Sequence, residues 1–187
     1  MKKFLLPLAL AVLATVNTES CDPSSMALAQ EGLDKMNEIM TGGTSYEFSN
    51  STLVIRDNAD LISDTKEAAI VNKLTPYMEQ VEIDILLMTT KESGLSSMSP
   101  GSTYAQMYLP KDSENWICIT YDQLRESSHL YYDGNIAIRA VGAHSDAIFA
   151  EGRPYLRDDD YAGSLEAMAL KILKNATSQN GSRKNLP

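Results

Sequence analysis

The sequence predicts an α/β fold: an α/β/α sandwich in which a central sheet of about four strands is flanked by helices. Three observations predict it. Two runs, residues 81–89 and 116–121, are apolar without clean alternation, as strands buried on both faces are. Apolar residues recur at helical spacing over residues 64–80 and 161–175. The resulting order of strand, helix, strand, loop, strand, strand and helix puts helices on a sheet rather than hairpins alone.

The elements follow in order. Residues 1–20 predict a signal peptide, because Lys2 and Lys3 precede a 13-residue apolar run at residues 4–16. That run is shorter than the ~17–25 residues a membrane span needs. Cleavage after Ser20 would leave Cys21 as the first residue and raise a lipid anchor there, although Thr18 and Glu19 fit a lipoprotein signal badly. Residues 21–50 read as an N-terminal helix, with Met26, Leu33 and Met36 among its apolar positions, followed by a Gly-containing linker. The domain proper spans residues 51–175, and residues 176–187 read as a polar, disordered tail.

Within the domain, residues 51–56 form a β-branched strand. Ser63 is a good N-cap for a helix over 64–80, whose Ile70, Leu74 and Met78 share one face. Residues 81–89 make a central strand, residues 90–101 a Ser- and Gly-rich loop, and residues 104–109 suit either a short helix or a strand. Residues 116–121 make a buried strand, Asp133 and Gly134 a tight turn, and residues 135–141 a strand with Ile136 and Ile138 alternating. A final helix over 161–175 carries a stripe of Leu165, Met168, Ala169 and Ile172.

Composition narrows the function. The 187 residues carry 16 Lys and Arg against 25 Asp and Glu, a formal charge of −9, moving to −10 once the signal and its two lysines and one glutamate are gone. Basic residues spread so thinly offer no patch to neutralise phosphates, so a nucleic-acid partner is excluded. There is no G-x-G-x-x-G and no G-K-[ST], so no nucleotide site is expected. Neither cysteine stands in a C-x-x-C pair, which removes redox catalysis and a cysteine zinc site. In an exported chain Cys21 and Cys118 could instead pair as a disulfide, against the alternative that Cys118 is merely a buried thiol.

Two acidic turns remain as the functional clue. Asp57 and Asp60 lie between the first core strand and its helix, at the end of an α/β sheet where ligands bind. Asp158, Asp159 and Asp160 precede the last helix. These five carboxylates are the candidate metal ligands, with calcium the expected ion because it takes several oxygens in a forgiving geometry. The alternative is turn and cap chemistry, in which Asp side chains bond their own backbone. His144 and Asp146 would join the same cleft, whereas His129 falls in a polar loop. Two separated histidines argue against zinc, and the absence of G-x-S-x-G argues against a serine hydrolase.

These residues resemble a known family. The run VIRDNADLIS at residues 54–63 is similar to the opening motif of the TPM domain, a valine and an aspartate followed by alanine, a small residue, two aliphatics and serine. Residues 83–90, the pair Tyr104 and Ala105, and residues 116–121 and 136–141 resemble its later elements. Pro154, Arg157, Asp160, Tyr161 and Gly163 resemble its closing motif. Asp60 and Asp159 depart from it, each standing where the family usually has glycine. The Gly-Tyr-Gly-Leu-Glu type of run expected after the fourth strand is reduced to VGAHS, and the helix before the proline looks shortened. The resemblance implies an α/β/α sandwich outside the cytoplasm. It implies calcium binding, acid phosphatase activity, or a part in assembling or modulating membrane proteins, with Asp57 and Asp160 as the matching acids. The expectation drawn from all of this is an exported accessory or interaction domain with an acidic, calcium-binding cleft, whose partner is a membrane protein or another exported protein. A weak metal-assisted phosphatase and a purely structural domain are the alternatives.

Overall fold

The structure, a computed structural model, describes residues 43–91 and 100–183, all within the unit Gly42–Pro187. The expected signal peptide, the helix at 24–40 and Cys21 lie outside the described residues. A five-stranded mixed sheet runs in the order β1 (Thr44–Glu47), β2 (Thr52–Asp57), β3 (Asp84–Thr90), β4 (Trp116–Asp122), β5 (Ser127–Asp133). The three central strands are parallel and the two edge strands antiparallel to them. Among the described residues five α-helices accompany the sheet: α1 (Asp64–Met78), α2 (Pro100–Tyr108), α3 (Asn135–Val141), α4 (Ser145–Arg157) and α5 (Tyr161–Arg183).

The pleat divides the core in two. Leu53, Ile55, Ile85, Leu87, Ile117 and Ile119 point to one face, where α1, α3, α4 and α5 cover them with residues such as Ile70, Leu74, Ala140, Ile148 and Leu165. Val54, Leu86, Met88 and Cys118 point to the other, under Tyr104, Ala105 and Leu109 at α2. Helices on both faces of the sheet make the expected α/β/α sandwich. The crossovers β2–α1–β3 and β3–α2–β4 step the same way across the sheet on opposite faces. They therefore cannot both have the usual right hand.

The expected elements hold where burial is deep. Ser63 caps α1 by accepting from the Lys66 amide, 3.4 Å away. The ambiguous stretch 104–109 is helical up to Tyr108, as the second half of α2. Other readings are corrected. Residues 135–141 form a helix, because the positions that bury are Ala137, Ala140 and Val141, at helical spacing, while Ile138 is 49% exposed. The strand expected there lies one element earlier, as β5. The expected linker also holds the edge strand β1, so the sheet has five strands rather than about four. The last helix runs past Asn175 to Arg183 with Ala176 buried, in place of a tail starting at 176. Helix α4 has 13 residues and includes Pro154.

Candidate functional site

The carboxyl edge of the parallel strands collects both acidic turns. Register sets Asp57 of β2 beside Thr89 of β3 and Thr89 beside Tyr121 of β4. All three side chains fall on the face that α1 and α5 cover. The Asp57 carboxylate is fully engaged: Oδ1 accepts from the Leu61 amide at 2.9 Å and Oδ2 from the Ile62 amide at 2.6 Å. The Thr89 hydroxyl donates to Oδ1 as well, and accepts from the Ala59 amide at 3.1 Å. Asp57 thus closes the loop of residues 57–62 and ties it to the neighbouring strand.

The closing turn is built differently. Helix α4 ends in a Schellman arrangement, with the Asp160 amide donating to Tyr155 O at 2.9 Å and the Asp159 amide to Leu156 O at 3.4 Å. Asp160 then caps α5, its Oδ1 accepting from the Gly163 amide at 3.0 Å. Gly163 must be a glycine for this to fit, because a Cβ there would lie 2.5 Å from both Asp160 Oδ2 and Tyr155 Cδ1. The Lys66 ammonium, from the first turn of α1, sits 3.2 Å from each Asp160 oxygen. Tyr161 donates to Asp159 Oδ1 at 3.1 Å and packs on Tyr121, with ring centroids 4.6 Å apart. A chain of contacts therefore runs from Asp57 through Thr89, Tyr121 and Tyr161 to the closing turn, with Lys66 as a second strap.

Electrostatics in this chain favour neutral phenols. Tyr121 is pushed up to about 12, mainly by burial and then by Tyr161, Glu126 and Asp159. Tyr161 is raised chiefly by its hydrogen bond to Asp159. On the opposite face, burial drives the Cys118 thiol well above its usual range. Cys118 is a free thiol, 0% exposed, and its expected partner Cys21 lies outside the described residues.

The two turns meet through this chain, and the donor set does not make a calcium cage. Among the described residues no three His, Cys, Asp or Glu side chains are grouped to hold a metal ion. Asp57 gives both oxygens to amides and a hydroxyl, and Asp160 gives its oxygens to an amide and a lysine. Asp60 and Asp158 are exposed and carry no side-chain bond among the described residues. Asp60 and Asp159 share a different property. Both are left-handed, at φ +56° and +55°, the region that favours glycine.

His144 and Asp146 do not join this edge. They stand at the opposite end of the 13-residue α4 from Asp158, about 18 Å away along the helix. His129 lies in β5 rather than a loop, on the α2 face, with its Nε2 3.0 Å from the Ser127 hydroxyl. A larger groove, about 430 Å³, opens at the amino end of the strands between Glu47, Glu82, Asp84, Asp112 and Glu114. Asp84 there accepts from the Thr52 amide at 2.6 Å. Sequence reasoning missed Lys66, Thr89 and Tyr121, and had Tyr161 only as a motif match. A polar Thr ending an apolar strand was the one local signal for any of them.

No protein-family model and no curated protein matches the chain. The solved structures similar to it include the following two. One is the solution NMR structure of the N-terminal domain of cg2496 from Corynebacterium glutamicum, with TM-score 0.49, 18% identity, and coverage of 74% of this chain and 88% of that one. The other is the NMR structure of the BA42 protein from the psychrophilic bacterium Bizionia argentinensis, with TM-score 0.53, 13% identity, and coverage of 65% of this chain and 84% of that one. The likeness to BA42 extends to the fold alone.

Proposed function

We propose that the chain is a divergent TPM-type domain, exported, that acts as an accessory or interaction module rather than an enzyme. The observation that carries this reading is the pair of left-handed aspartates. Asp60 and Asp159 occupy positive-φ positions in the two turns, at the two places where TPM motifs usually carry glycine. A backbone that keeps a glycine conformation without the glycine supports descent from that pattern more than any single side-chain match does. One correction bears on it: residues 136–141 are helical, so β5 stands in for the family's fourth strand.

The engaged carboxylates favour binding over turnover. A phosphatase needs a carboxylate nucleophile or a polarised phosphate with an acid or base within reach. At this edge the oxygens of Asp57 and Asp160 are held by amides, a hydroxyl and Lys66. Calcium enters as an exchange ligand of the closing turn. It would replace Lys66, which is 54% exposed, at Asp160 beside the exposed Asp158 and Asp159. The partner on this reading is a membrane protein or another exported protein.

Calorimetric titration of calcium into the protein tests the ligand, with Asp160→Asn as control. Weak binding that the variant loses supports the exchange. No heat and no change in melting temperature removes calcium from the reading. Hydrolysis of a generic phosphomonoester tests the rest. Turnover abolished by Asp57→Asn would make the protein a phosphatase and overturn the accessory role. Mass spectrometry of the exported product is expected to show loss of about the first 20 residues.

A further inference from the structure

Strand β5 borders β4 on one side, and among the described residues no element pairs with its other side. The neighbouring strands fix which backbone groups are left there. The Gln123 amide donates to Thr90 O, and Asn115 O accepts from the Asp84 amide, both at 2.9 Å. Odd-numbered positions along β4 therefore face β3, and even-numbered ones face β5. Register then turns the backbone groups of Ser127, His129, Tyr131 and Asp133 toward β4. Ser128, Leu130 and Tyr132 point their N–H and C=O groups outward, where among the described residues they have no backbone partner.

Edge strands ordinarily carry a device against pairing: shortness, a lysine, a proline or a bulge. The other edge, β1, has only four residues. Strand β5 has seven, SSHLYYD, with no lysine, proline or glycine, and its register with β4 is unbroken from end to end. In a chain of net charge −9, its one formal charge is Asp133, at its last position. A long, straight and nearly neutral edge is a template for another strand.

We infer that β5 pairs with β5 of a second copy of this chain, antiparallel about a two-fold axis through Leu130, joining the two five-stranded sheets into one. That register satisfies every outward group: Ser128 bonds Tyr132, and Leu130 bonds Leu130 across the axis. Between them His129 meets Tyr131 at the closer, non-hydrogen-bonded positions, where opposed aromatic side chains stabilise a strand pair. These two rings already stack within one chain, with centroids 6.2 Å apart. Ser127 meets Asp133, so no like charges are opposed. A slip of two residues would set Tyr132 against Glu126 or Ser128 against Gly134, both outside β5.

The test joins sedimentation of the full chain with amide hydrogen exchange. The expected result is a reversible monomer–dimer equilibrium with Kd on the order of 0.1 mM, because one strand pair buries less than a standard interface. The Ser128, Leu130 and Tyr132 amides should then exchange roughly fivefold more slowly at about 1 mM than at about 10 μM protein. The His129 and Tyr131 amides, bonded to β4, should be protected alike at both. Leu130→Lys and Leu130→Glu each oppose like charges across the axis and should abolish the dimer, while an equimolar mixture of the two should restore it. Should either variant fail to fold, the exchange of the unaltered chain still decides. A chain that stays monomeric at about 1 mM overturns the proposal. So does a dimer whose outward amides exchange freely, since it uses another face. Outward amides protected at every dilution would show that the chain covers its own edge, and folded variants whose mixture stays monomeric would exclude this register.

Discussion

The two acidic turns have similar compositions and opposite constructions. In the first, the acid that matters points inward: Asp57 binds two amides of its own loop and the Thr89 hydroxyl of the next strand. In the second, Asp160 binds one amide inward and an exposed lysine outward. A run of carboxylates therefore says little until each oxygen has been traced. The first turn is a structural joint whose acid is spent. The second keeps a partner that water or another cation can replace. If either turn exchanges ligands, it is the second.

The largest effect expected from breaking this contrast is at Asp57. Asp57→Ala strands two amides and a hydroxyl in a half-buried turn. The expected loss is about 3 kcal/mol, since hydrogen bonds to a charged acceptor contribute ~1.5–3 kcal/mol each and are not additive. At ~2–4 °C per kcal/mol for a domain of this size, the melting temperature should fall by roughly 10 °C. An Asp57→Ala protein that melts like the wild type would show that the inward turn is no joint.

Next is the aromatic link between the turns. Tyr121 ionises at about 12 in the fold, raised first by burial, against about 10 in the unfolded chain. The folded state therefore holds a proton that the unfolded state loses first. The stabilisation is complete below pH ~10 and is lost as pH rises from about 10 to 12, on the order of 2 kcal/mol in all. Urea midpoints followed across that window should fall more steeply for the wild type than for Tyr121→Phe. Tyr46, Tyr131 and Tyr161 are raised in the same direction, so the variant flattens the decline without removing it.

The closing turn should respond less. Asp160→Ala removes a helix cap and the Lys66 pair. The cap contributes about 1 kcal/mol and the pair, at 54% and 30% exposure, a few tenths at most. Lys66→Met isolates the second term, and its effect should vanish in high salt. A loss at Lys66 as large as that at Asp57 would make the two turns equivalent and end the argument for exchange.

How much of this the sequence disclosed depends on range. The central strands were legible because both their faces are buried, which makes Ile85 to Met88 and Trp116 to Ile119 continuous apolar runs. Strand β5 was not. It is an edge strand whose SSHLYYD carries one aliphatic, and its residues are only partly buried. Ile136 and Ile138 then mimicked the missing strand, although alanines form the buried stripe of that helix. Gly152 sits inside α4, where the glycine admits close packing against α5. At the site, Asp57 was recognisable as turn chemistry because its amide partners are local. Thr89, 32 residues away, and the Lys66–Asp160 pair, 94 apart, had no local signature.

The smallest effect expected is also the one that bears most directly on ancestry. Asp60 is exposed, left-handed, and makes no side-chain bond among the described residues. Its replacement by glycine removes only backbone strain and should stabilise the fold by about 0.5–1 kcal/mol, the low end of the penalty for a non-glycine residue there. Asp159→Gly gains the same relief but gives up the Tyr161 hydrogen bond at 3.1 Å, so it should come out closer to neutral. Urea denaturation of the two variants separates these terms. If Asp60→Gly stabilises and Asp159→Gly does not, the acid in the closing turn has acquired a contact that holds it there, while the acid in the first turn is a tolerated replacement for glycine. If both destabilise, neither turn descends from a glycine-bearing pattern, and the main support for the TPM reading is gone.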